Sequence, residues 1–131
     1  MLKLSLATTG RCLLALYFLL PGILKFAAWD THVALMEKHG MVFIPVFLAI
    51  AGGLQILCSV GILLNRYTQW LSLILAFMVL AINFQLHDFW NYTDTEGAHE
   101  MQNFIKNLGI FAGLLILSAS SWKETETKAQ T

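Results

Sequence analysis

The chain has 131 residues, 57% of them hydrophobic and 12% charged, with eight lysines and arginines against eight acids. A soluble domain is about 45–50% apolar and about 25% charged, so this composition, with a mean hydropathy of +0.66, belongs in a bilayer. The balanced charge excludes a basic face for nucleic acid, and Cys12 and Cys58, far apart in apolar sequence, make no CxxC or Cys/His metal pattern.

The first apolar run contains "CLLALYFLLPGILKFAAW" and predicts a span over about 10–29. Pro21 inside it should kink the helix or loosen its backbone bonds. Gly22 and Lys25 share a helical face. Arg11, fourteen residues before Lys25, is only about 40° off that face and roughly 21 Å away along the axis. Lys3 before an apolar stretch resembles a secretory signal. The stretch is long for one, holds Lys25 and has no A-x-A site, which argues against cleavage.

A polar connection, 30–41, leads to the second span, 42–64. Pro45 stands in its first turn, where a missing N–H costs little. Ala49, Gly52, Gly53 and Gly61 give it a small face for close packing, and Gln55 lies mid-span as a candidate interhelical hydrogen bond. Asn65–Gln69 reads as a tight hairpin into the third span, 69–87. Asn83 and His87 are four apart and share a face, with Gln85 between them and Trp90 near that face if the helix continues.

A second polar connection, 87–101, carries many of the acids, and the fourth span covers 102–122. Glu96, Glu100, Asn103 and Asn107 form one stripe at its outer end. His99, Asn103 and Lys106 form another. Gly109 and Gly113 make a GxxxG, a weak packing signal that permits homo-oligomers. Residues 123–131 read as a flexible, cytoplasmic tail.

Each run is near the ~20 residues a helix needs to cross the hydrocarbon. The reading is therefore all-α, a membrane-spanning four-helix bundle within one domain, 1–122. Lys3, Arg11, Arg66, Lys123 and Lys128 fall on the side of both termini, and Lys25, Lys38 and Lys106 on the other. That bias puts both termini in the cytoplasm of a bacterial cell, with the protein in its inner membrane. All four histidines fall on the outer side.

Ionisable groups inside spans are expensive and are functional suspects. Lys25, Asn83, His87, Trp90, Asn103, Lys106 and Asn107 lie at similar depth and form the candidate ligand site. Asp88, Glu100, Arg11 and Gln55 are possible partners. The plainer readings are that the lysines snorkel, the amides join helices, and Trp29, Trp70, Trp90 and Trp122 anchor span ends. No HxxH, HxH or HExxH spacing supports a metal site.

Arg11 at the head of span one, "GILKF", "MEKHGM", "AGGLQIL", Arg66, "LHDFW" and "FIKNLGIFAGLLIL" come in an order and spacing that resemble the DoxX family of small bacterial and archaeal membrane proteins. The similarity runs over roughly residues 7–120. It implies a four-helix bundle in the cytoplasmic membrane and a link to quinone-dependent redox complexes. Many relatives carry a Glu just before the glycine pair of span two. Here that stretch is Ala49–Ile50–Ala51, so the family's redox chemistry does not transfer residue by residue.

The sequence has no catalytic motif and no haem, flavin or iron–sulfur motif. The leading expectation is an accessory or assembly component of a membrane redox system, with a redox enzyme subunit as partner. The alternative is a membrane protein that binds a quinone, an anionic lipid or a metabolite through the Lys/Asn/His cluster, with His87 as the group nearest neutrality. A transporter is third, because four spans without inverted repeats offer no alternating halves.

Overall fold

A computed structural model describes the backbone of residues 1–129 and the side chains of residues 1–122. The side chains of the expected tail, 123–131, lie outside the described residues. The elements are α1 (Leu2–Ala27), α2 (Trp29–Lys38), α3 (Ile44–Leu63), α4 (Thr68–Leu86), a 3-10 turn (Phe89–Asn91) and α5 (Asp94–Ala129). No strand occurs among the described residues. Helices α1, α3, α4 and α5 are each long and apolar enough to cross a membrane, so the chain is an all-α bundle of four candidate spans.

Three boundaries differ from the sequence reading. Helix α1 starts at Leu2 rather than near residue 10, because no proline precedes Pro21 to stop it. It also continues through Pro21, which leaves the Tyr17 carbonyl without its i+4 donor. The polar connection 30–41 holds the ten-residue helix α2. Trp29, Val33 and Met36 recur on one face of α2 and pack with Met41 against Ile44 and Leu48; the stripe is too short to register as a span. Helix α5 starts at Asp94 rather than near 102, with Asp94 and Glu96 in its first turn. Acids there face the positive end of the helix dipole.

Helix α1 packs along α3, and α4 along α5; the α3–α4 hairpin joins the two pairs, and α1 touches α5 lightly. Asn65 and Tyr67 take left-handed φ values of 53° and 55° to close that hairpin, and Thr68 Oγ1 donates to Asn65 Oδ1 at 3.1 Å. The main core lies toward the hairpin end and contains Ala15, Phe18, Cys58, Ile62, Leu75, Ala76, Val79 and Leu114. At the other end the α2–α3 cluster forms a second, smaller core.

Aromatic rings mark both ends of the bundle. Trp70 and Trp122 meet edge to face with centroids 4.8 Å apart near the hairpin. Phe26 and Trp29 stack at the opposite end. Amphipathic rings favour the headgroup depth on either side of a bilayer.

Gly22 sets the α1–α3 spacing. A Cβ there would lie 2.9 Å from Gln55 Cβ and 3.2 Å from the Ile56 backbone nitrogen. Backbone cannot yield as a side-chain tip can. Gly22→Ala is therefore expected to cost about 1–3 kcal/mol, the usual range for overpacking. Unfolding by denaturant titration in detergent micelles measures it.

Candidate functional site

The two cores leave a space between them. Toward the hairpin, α3 and α4 meet through Cys58, Ile62, Leu75 and Ala76. Toward the other end, residues 47–54 of α3 and 78–86 of α4 line a cavity of about 870 Å³. That is within the roughly 300–1,000 Å³ of ordinary ligand pockets. Helix α2 and the following turn cover it with His32, Leu35, Met36, Gly40 and Met41, and α1 contributes Lys25. Its wall is mostly apolar, including Phe47, Leu48, Ile50, Leu54, Met78 and Ile82. Phe47 and Ile50 are half-exposed on the outer surface, so the gap between α3 and α4 faces the hydrocarbon.

The polar lining is Lys25, His32, Gln85, His87, Glu100 and Asn103. Lys25 is half-buried and has no hydrogen bond or ion pair among the described residues. His87 Nδ1 lies 2.7 Å from Glu100 Oε2. An N–H at Nδ1 donating to that carboxylate fixes the ring orientation. His99 Nδ1 stands 3.7 Å from the other Glu100 oxygen. His32 Nδ1 donates to the Ala28 carbonyl at 2.8 Å, a local bond that orients the ring within α2.

The remaining candidates from the sequence separate into different roles. Asn83 is buried; its Nδ2 donates to the Phe104 carbonyl at 3.1 Å, and Asn107 Nδ2 donates to its Oδ1, also at 3.1 Å. The two amides clasp α4 to α5 and do not line the cavity. Lys106 is exposed on α5, outside the cavity. It is 100° around the helix from Asn107, which faces inward. Trp90 is half-exposed and joins Phe84, Phe89 and Phe104 in an aromatic cluster. Gln55 is buried against α1, and its Oε1 has no hydrogen-bond partner.

Arg11 lies at the hairpin end. Its Nη1 donates to the carbonyls of Ile62 and Leu63 at 2.5 and 3.0 Å. These belong to the last turn of α3, where carbonyls run out of i+4 donors and the dipole favours a cation; the Ile62 carbonyl also accepts from the Asn65 N–H at 3.1 Å. Its role in the structure is to cap α3.

Two bridges tie α2 and its turn to Asp88, just past α4, and to Glu96, in the first turn of α5. Asp88 accepts from His39 Nδ1 at 3.1 Å and from Asn91 Nδ2 at 2.6 Å. Lys38 Nζ meets Glu96 Oε1 at 2.5 Å and sits over the Tyr92 ring. The hydrogen bond to Glu96, helped by its negative charge, holds the Lys38 ammonium above its usual pKa. The pair is solvent-exposed, so its contribution to stability is small and falls with salt.

The sequence reading missed the α2 side of the cavity. The signal was present: Trp29, Val33 and Met36 recur at helical spacing, and His32 lies one residue from that stripe. Among the described residues no three His, Cys, Asp or Glu side chains gather into a metal set.

Four apolar spans around an internal cavity define a multi-pass α-helical membrane protein. The DoxX family model matches residues 6–88, more than half of the chain, and the chain belongs to the DoxX family. No curated protein and no solved structure matches it. The family match runs from α1 to just past α4 and includes Lys25, Asn83, His87 and Asp88. Glu100, Asn103, Lys106 and Asn107 stand on α5, beyond the matched stretch. Ile50 and Ala51 line the cavity, so its wall is apolar in the stretch where the resemblance implies an acid.

Proposed function

We propose that this DoxX protein binds an amphiphilic small molecule, a quinone or an acidic lipid or metabolite, in the cavity between α1, α2, α3 and α4. The observation that carries the reading is Lys25, a cation without a partner on the wall of an apolar cavity. A charge so placed is costly unless an opposing group meets it. The polar groups cluster toward the α2 end and the apolar wall runs toward the middle of the spans, which matches a molecule with one polar head. His87, oriented by Glu100, supplies a ring nitrogen for hydrogen bonding beside that head. By the distribution of Lys and Arg, both termini face the cytoplasm of a bacterial inner membrane, and the cavity lies in the outer leaflet.

Ala51→Trp fills the cavity without touching Lys25 or His87. It is expected to cut the co-purifying lipid or quinone per protein at least tenfold, with the helical content unchanged. Mass spectrometry of protein released from nanodiscs reads the ligand, and circular dichroism the fold. Undiminished ligand in a correctly folded variant overturns the reading.

Family membership supports a second reading, an accessory or assembly component of a quinone-linked redox system. Purification from native membranes in mild detergent should then bring a redox enzyme subunit with the protein. Recovery of the protein alone counts against it.

A further inference from the structure

We infer that the occupant of the cavity is an anionic amphiphile, with a carboxylate or phosphate head on Lys25 and its chain along the α3–α4 gap. This rests on the cavity-binding reading above and narrows it to one charge class.

The argument is one of charge and access. Glu100 is the one carboxylate among the lining residues, and His87 Nδ1 lies 2.7 Å from it. It makes no ion pair with Lys25. Asp88 is engaged by His39 and Asn91, and Glu96 by Lys38. Asp88, Glu96 and Glu100 are thus each bound by a neighbouring side chain, while Lys25 makes no ion pair among the described residues.

A neutral head, such as a quinone carbonyl, accepts a hydrogen bond from Lys25 but leaves its charge uncompensated. An ionised head both accepts the bond and cancels the charge, adding a Coulomb attraction that a neutral acceptor lacks. Low local polarity amplifies that difference.

The shape agrees. Phe47 and Ile50 on α3 and Ala81 on α4 line the cavity and are also exposed on the bundle's outer surface. A chain-bearing molecule can therefore slide in sideways from the bilayer, with its tail in the gap and its head reaching Lys25. A small hydrophilic anion would have no use for that lateral gap.

The test uses the full-length protein in nanodiscs of phosphatidylcholine. Retention of radiolabelled oleate is compared with that of methyl oleate, with protein-free discs as the blank. Oleate is expected to bind at least tenfold more tightly than its ester. Lys25→Gln should remove that preference by weakening oleate while leaving methyl oleate unchanged, and Lys25→Arg should restore it. Dodecanoate against dodecyl phosphate then assigns the head as carboxylate or phosphate. Equal binding of oleate and ester, or an oleate affinity unmoved by Lys25→Gln, overturns the charge assignment. If Ala51→Trp still abolishes binding in that case, the cavity reading stands; if Ala51→Trp changes neither ligand, the cavity reading fails as well.

Discussion

Arg11→Leu is expected to lower the unfolding free energy by about 2–3 kcal/mol, the scale of hydrogen bonds to a charged group. The guanidinium donates to two carbonyls in the last turn of α3, Ile62 and Leu63. Leucine can pack in the same space but supplies no donor. The Ile62 carbonyl keeps the Asn65 N–H, and the Leu63 carbonyl lies at the hairpin end of the bundle, where partial access to water limits the loss. Arg11→Lys should recover part of it, because one ammonium keeps the charge near the helix terminus but lacks the planar fork. Chemical denaturation in a fixed detergent compares the three proteins. Stability of Arg11→Leu within 0.5 kcal/mol of the parent, a difference typical of an indifferent surface change, would show that Arg11 is not a cap of consequence.

Asn83→Leu should be of similar size, about 1–3 kcal/mol, for a different reason. Asn83 is 1% exposed. It gives one hydrogen bond to the Phe104 carbonyl and receives one from Asn107. Replacing it alone orphans the Asn107 amide between two helices. Changing Asn107 to leucine as well removes that orphan, so the double variant should be more stable than the sum of the single changes implies. The Phe104 carbonyl retains its place in the α5 ladder and loses only its second donor. Thermal unfolding of the four proteins in one detergent gives the coupling energy. Strict additivity would mean that the two amides do not form a clasp.

These two residues also mark where sequence reasoning stopped. Arg11 and Lys25 are close in angle on one helix, which suggests a shared task. They differ by 14 positions, roughly 21 Å of rise, and α3 runs antiparallel to α1. Arg11 therefore meets the end of α3, while Lys25 lies beside the residues near its start. In the same way, Asn83 and His87 share a face of α4 at i, i+4. Asn83 faces α5 within the packed pair, and His87 stands just beyond the helix end, on the cavity lining.

Composition and the lengths of the apolar runs determined the class of this protein: four helices across a bilayer, polar connections, and aromatic residues at span ends. They do so because hydrocarbon excludes unpaired backbone groups, so a run of about 20 apolar residues has few alternatives to a helix. The rarity of charge within the spans also made Lys25 and Lys106 stand out, though only Lys25 lines the cavity.

Helical period assigns a side chain to a face, but it does not say which neighbour that face meets. Only the packing of α1 on α3 and α4 on α5 decided that Lys25, His87, Glu100 and Asn103 share a cavity. The same packing turned Asn83 and Asn107 into an interhelical clasp, left Lys106 exposed, and made Arg11 a cap. Helix α2 was hidden for a related reason. Its apolar stripe is too short to signal a span, and it becomes a cavity wall only when α3 offers Ile44 and Leu48 as a surface to pack against.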